Sequence, residues 1–160
     1  TRIHEDTWPS VRVAVVESLA REPRAVEAVI GRLEDPSYAV VRATITALGV
    51  SPGGAEVSRE LMAFAENGRH APDLRRDAVD ALGVRCDPSV AAGLDRLAES
   101  LSDPALPPYE QEIAQGAMAA LARVDPARAR AFLTRNQSNA EAAAAVERAV
   151  RQGCSRAQGR

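Results

Sequence analysis

One ten-residue phrase recurs along the chain, and it limits the fold more than any other feature. Residues 11–20 read VRVAVVESLA, 40–49 VVRATITALG, 74–83 LRRDAVDALG and 113–122 IAQGAMAALA. A weaker copy, AAAAVERAVR, occupies 142–151 with Val150 in the Leu place. The anchors Leu19, Leu48, Leu82, Leu121 and Val150 are spaced 29, 34, 39 and 29 residues apart. Positions 1, 5, 8 and 9 of the phrase carry aliphatic or small residues, which is one stripe of an α-helix. The small residue at position 10 predicts a helix C-terminus.

A second helical pattern follows each phrase. Glu22-Pro23, Asp87-Pro88 and Asp125-Pro126 place an acid at the N-cap and Pro in the first turn. Asp35-Pro36 opens the second repeat in the same way, and Asp103-Pro104 marks the end of the third. Apolar stripes run Val26/Val29/Ile30/Leu33, Val57/Leu61/Phe64, Val90/Leu94/Leu97/Leu101 and Ala129/Phe132/Leu133. β-branched runs bounded by turns are absent, so no strand is expected. The pattern predicts an all-α solenoid of about four and a half helix pairs in one domain over 1–160. Its repeats run at about 6–34, 35–68, 69–102 and 108–137, with a terminal half-repeat at 139–152 and a tail at 153–160. One helix pair cannot bury its stripe alone, and stacking neighbours does it.

Composition narrows the class. A chain of 160 residues with 46% hydrophobic content can bury a core without metal or disulfide support. All 20 basic residues are Arg and 32 residues are Ala, the usage of a GC-rich bacterial genome. No apolar run approaches the ~20 residues of a membrane helix. The chain begins at Thr1 rather than Met, which is expected of a piece of a longer protein. A cytoplasmic setting is favoured, and a periplasmic one follows if that larger protein is exported. The net charge of −2 divides unevenly: −2 over 1–69, −5 over 70–122 and +5 over 123–160. The basic end reads either as a solvated tail or as a docking end for an acidic partner. Cys86 and Cys154 are 68 residues apart with no CxxC, so no zinc site is expected. A disulfide between them requires the tail to fold back, and the spacing leaves that open.

The phrases DPSYAVVRATITALG and LRRDAVDALG resemble HEAT repeats, in particular the short HEAT-like repeats first associated with phycobilisome lyases. The resemblance covers about residues 6–151. It implies an α-solenoid that serves as a scaffold, with first helices on the convex face and second helices on the concave face. It also implies an Arg at position 2. Arg12 and Arg75 fill that place, but Val41 and Ala114 replace it elsewhere, so no regular Arg–Asp ladder is expected.

No constellation for chemistry appears. Nucleophile elbows and phosphate loops are absent. The lone His4-Glu5 pair reads as solvated, and Asp77/Asp80, Glu110/Glu112 and Asp95/Glu99 read as solubilising charge. No catalytic residue, metal or cofactor is expected. Trp8, Tyr38 and Tyr109 precede first helices and read either as hydrophobic staples or as exposed anchors. Met62 lies off the apolar stripe and is expected between repeats. The segment 102–112, SDPALPPYEQE, reads as a spacer or as a recognition loop.

Helical-wheel angles turn Arg24, Arg32, Arg59, Glu66, Asp95, Arg96, Glu99 and Arg135 away from the apolar stripes, with Ala28, Gly31, Ala63, Ala92 and Ala131 among them. Small side chains let a partner's backbone come close, and Arg supplies forked donors. The expected function is therefore a non-enzymatic scaffold for a protein or peptide, acidic in character, bound along the concave face. Two alternatives follow from the family resemblance: a phycobilin lyase-type enzyme and a DNA-binding protein. The chain offers no aromatic cluster for a flat chromophore, and its acidic middle disfavours nucleic acid.

Overall fold

A computed structural model describes residues 8–103, 105–136 and 140–154. They form nine α-helices and, among the described residues, no strand. The first helices of the repeats are α1 (Pro9–Leu19), α3 (Tyr38–Val50), α5 (Pro72–Arg85), α7 (Pro108–Val124) and α9 (Ala140–Gln152). The second helices are α2 (Val26–Ile30), α4 (Ala55–Glu66), α6 (Ala91–Glu99) and α8 (Pro126–Arg135). Short 3-10 turns flank α2 at Pro23–Ala25 and Gly31–Glu34. None of the helices is long and apolar enough to cross a membrane. This is the all-α solenoid that the periodicity predicts.

The stripe of positions 1, 5, 8 and 9 is the core. Val40, Thr44, Ala47 and Leu48 in α3 are buried, as are Leu74, Ala78, Ala81 and Leu82 in α5 and Ile113, Ala117, Ala120 and Leu121 in α7. Helix entry also follows the sequence: Glu22 and Asp87 accept a backbone N–H two residues on, and Asp125 accepts from Arg128 N.

Position 10 falls at the helix C-terminus, as its small size predicts: Ala20 is the C-cap of α1, and Gly49 and Gly83 lie one and two residues before the ends of α3 and α5. A Cβ on Gly49 would stand 3.2 Å from Cβ of Ala81, and one on Gly83 would stand 3.2 Å from Cβ of Ala120. Position 10 of one repeat therefore faces position 8 of the next, and small residues on both sides let neighbouring first helices come close.

The first helices pack side by side along the whole array, α1 on α3, α3 on α5, α5 on α7 and α7 on α9. The second helices meet one another only sparsely. One correction concerns segment 102–112: α7 begins at Pro108, because Pro suits a helix's first turn. The irregular stretch is therefore shorter than the sequence reading.

Cys86 and Cys154 form a disulfide, with Cα atoms 5.6 Å apart. The tail does fold back. Cys86 caps α5 in the left-handed region at φ 55°, and Cys154 follows α9. Because α5 and α9 both pack on α7, the bond joins two repeats across a third. Arg123 Nη2 of α7 donates to Oε1 of Gln152 at 2.7 Å beside it.

Two outcomes test this packing. Gly83→Leu should lower stability by about 1–3 kcal/mol through overpacking against Ala120, whereas Gly31→Ala, with open space around it, should be neutral or gain about 0.4–1 kcal/mol; urea melts of both variants decide it. Reducing the disulfide, which closes a 68-residue separation, should cost about 3–4 kcal/mol, read as a lower melting midpoint in reductant.

Candidate functional site

The outward residues of the second helices supply the candidate surface. Ala28, Gly31, Ala63, Ala92 and Ala131 are all exposed, as the helical wheel predicts. Between α4 and α6 the second-helix row opens into a shallow groove of about 490 Å³. Met62 forms part of its floor, 8% exposed, lying over Gly93, whose added Cβ would meet the sulfur at 2.7 Å. Met62 therefore packs between repeats as expected. Ala63 and Ala92 line the groove, Arg59 is exposed on its α4 side, and Glu66 and Arg96 also border it.

The eight expected partner residues separate into three groups. Five are tied to one another across repeats. Arg96 Nη2 donates to Glu66 Oε1 at 2.9 Å, joining α6 to α4. Arg135 Nη2 donates to Asp95 Oδ1 at 3.1 Å and lies 3.9 Å from Glu99, joining α8 to α6. Arg128 adds a contact to the other Asp95 oxygen at 3.5 Å. Arg24 and Arg59 are exposed, and among the described residues no ion pair holds the Arg59 guanidinium. Arg32 corrects the expectation: it is buried, 3.8 Å from Asp35. The wheel assumed a continuous α-helix from 24 to 33. The real segment is five α-helical residues between 3-10 turns, and three residues per turn shifts the phase inward.

The sequence reading missed most of the polar framework on the first helices. Arg12 Nε and Nη2 donate to both Asp35 oxygens at 2.9 and 3.0 Å. Arg75 reaches Glu110 at 2.5 Å and the Ala65 carbonyl at 2.8 Å. Where position 2 is Arg, it does reach the next repeat. In the second phrase, where it is Val41, position 3 serves in its place: Arg42 pairs with Asp77 at 2.9 Å; in the third phrase position 3 adds to Arg75, and Arg76 donates to the Glu112 carbonyl at 2.6 Å. Arg85 donates to the Leu48 and Ser51 carbonyls at 2.6 and 3.1 Å and to the Gly53 carbonyl, pinning the turn after α3. Single Arg residues at irregular offsets leave no period for a sequence reader to find.

The three aromatics are exposed rather than stapled: Trp8 71%, Tyr38 45% and Tyr109 50%. The Tyr38 hydroxyl donates to Asp73 on the first turn of α5. His70 stacks on Phe64 at 3.8 Å between ring centroids and so serves packing. His4 and Glu5 lie outside the described residues, as do 155–160 of the expected tail.

A family model for HEAT repeats matches residues 1–83. The chain belongs to the HEAT-repeat family. The match spans α1 to most of α5, and the helices beyond it continue the same alternation. Comparison with curated proteins gives no match. In HEAT terms the array is a repeat scaffold whose first helices carry the VR…ALG phrase.

Asp35 links this scaffold to pH. Burial pushes its carboxyl up, but the Arg12 hydrogen bonds, the Ser37 N–H and the Arg12 and Arg32 charges outweigh burial and hold it below the usual carboxylate range. A depressed folded-state pKa contributes stability above the unfolded value of about 3.9, and that stability is lost as pH falls through the folded value. Asp35→Asn should cost about 2–4 kcal/mol at neutral pH by leaving Arg12 without its carboxylate. The gap between variant and parent melts should shrink as pH falls below the unfolded value of about 3.9.

Proposed function

We propose that this HEAT array is a non-enzymatic scaffold that binds a protein or peptide segment on its second-helix face, in the groove between α4 and α6. The observation that carries this reading is the groove itself: an opening floored by Met62 and Gly93, walled by Ala63 and Ala92, with the exposed Arg59 on one side. Small walls let a backbone approach, and Met adapts to different side chains. The acidic character expected of the partner narrows to Arg59 and Arg24, since Arg96 and Arg135 already have carboxylate partners within the array. One acidic residue beside a small apolar residue is the ligand that these groups fit. The Cys86–Cys154 bond accords with work in an oxidising compartment, where disulfides persist.

Selection of peptides from a displayed library on the intact oxidised protein tests the reading. Enriched peptides should carry an acid next to a small apolar residue. Ala63→Arg should abolish their binding by filling the groove, and Arg59→Glu should weaken it by about 0.5–2 kcal/mol, or roughly 2- to 30-fold. Binding should fall with added salt, because exposed charges are screened beyond ~8–10 Å. Glu17→Arg, on α1, should leave binding intact. Peptides that survive Ala63→Arg but are lost with Glu17→Arg would move the site to the first-helix face.

A further inference from the structure

We infer that Cys86–Cys154 is a thiol–disulfide exchange site that takes a dithiol reductant, and that opening the bond releases α9 from α7 while α3 and α5 stay packed. Both cysteines are only half-buried. Cys86 borders an open cavity of about 420 Å³ together with Val84, Arg123 and Gly153, so an attacking sulfur has access. Cys86 Sγ lies 3.3 Å from the Gly83 carbonyl, and Cys154 Sγ lies 3.1 Å from the Arg123 carbonyl. A disulfide sulfur has no proton to donate, so these carbonyls are acceptors that only the reduced thiols use. Cys86 stands at φ 55°, the only non-glycine in the left-handed region among the described residues. Helices favour Gly at such a cap, and side chains held in this conformation gather at functional sites.

The seam beneath the bond is thin. The sequence of α9, AEAAAAVERAVRQ, contains no Leu, Ile, Met or aromatic residue. Among its described side chains, Val146 and Ala149 are buried, whereas α3, α5 and α7 bury Ile45 and Leu48, Leu74 and Leu82, and Ile113 and Leu121. Apolar stabilisation scales with the area removed from water, so these short side chains hold α9 less firmly than an interior helix is held. The polar contacts of α9 add little: Arg130 meets Glu147 at 2.8 Å as an exposed pair, and Arg123 donates to Gln152. The covalent bond supplies the rest of its attachment. On the other side of the bond, α5 packs on α3, α4 and α7 without it.

The exchange runs in two steps. A thiolate of the dithiol attacks the sulfur of Cys86, which borders the cavity. A mixed disulfide forms there, the Cys86–Cys154 bond breaks, and Cys154 leaves as a thiolate that takes a proton. The Arg123 guanidinium lines the same cavity and favours the thiolate as it departs. The second sulfur of the dithiol then displaces Cys86. The reductant leaves as a disulfide, and two electrons and two protons have passed to the cysteines. The Cys86 thiol then donates to Gly83 within its own helix. The Cys154 thiol donates to Arg123, a weak bond in place of a covalent one.

The test uses the whole chain and dithiothreitol as the dithiol, in native buffer. Alkylation counts the free thiols, and hydrogen exchange read by mass spectrometry follows each helix before and after reduction. Both thiols should become free without denaturant. The amides of α9 should then exchange at least roughly 10-fold faster, while those of α3 and α5 keep their rates. Reoxidation should restore the slow rates of α9. Cys154→Ser should show fast α9 exchange with and without dithiothreitol; if that variant does not fold, the parent chain in its two redox states decides alone. A bond that dithiothreitol opens only in denaturant overturns the exchange site. Reduction that leaves α9 as slow as before, or that speeds α3 and α5 along with it, overturns the release.

Discussion

The fold depends on how closely neighbouring first helices can approach. That distance is set where Gly49 faces Ala81 and Gly83 faces Ala120. A larger side chain at either side of such a contact would push two helices apart along their length. Because the small residues recur once per repeat, the approach recurs too, and the first helices become the tight row of the array. The second helices meet one another more sparsely. The groove between α4 and α6 is a consequence of that difference, with Met62 resting on Gly93 at its floor.

Charge serves the scaffold before it serves any ligand. Each repeat boundary between α1 and α8 carries at least one Arg–carboxylate contact: Arg12–Asp35, Arg42–Asp77, Arg75–Glu110, Arg96–Glu66 and Arg135–Asp95. The exposed ones are each worth about 0–1 kcal/mol and act mainly to hold register. Arg12–Asp35 is different, because both side chains are almost fully covered and either one alone would be an uncompensated buried charge. The disulfide acts at longer range. Ordinary contacts in a solenoid reach only the adjacent repeat, whereas Cys86–Cys154 holds two repeats that flank a third. It restrains how far the α5, α7 and α9 end of the array can flex.

The two ends of the array are therefore built differently. The α9 end is covalently tied and polar at its exposed positions. The α1 end shows the same aliphatic seam that is buried in every interior repeat, with an open tryptophan beside it.

Much of this was legible from residues alone. The recurring stripe named the fold, the repeat spacing and the core, because burying one face of a helix imposes a period that no tertiary detail can hide. Leu48, Leu82 and Leu121 are as buried as their register demands. The outward placement of Ala63 and Ala92 was legible for the same reason. What needed the tertiary structure was everything that depends on distance between repeats. The close contact of Gly49 with Ala81 is one case, because it depends on packing across repeats and not on the pattern within one. Arg32 turned inward, because 3-10 turns break the wheel that 3.6 residues per turn defines. The pairing of Cys86 with Cys154 stayed open, because 68 residues of sequence carry no record of two chain segments meeting. Periodicity is local and survives in the sequence, while the approach of one helix to another is a property of the assembled array.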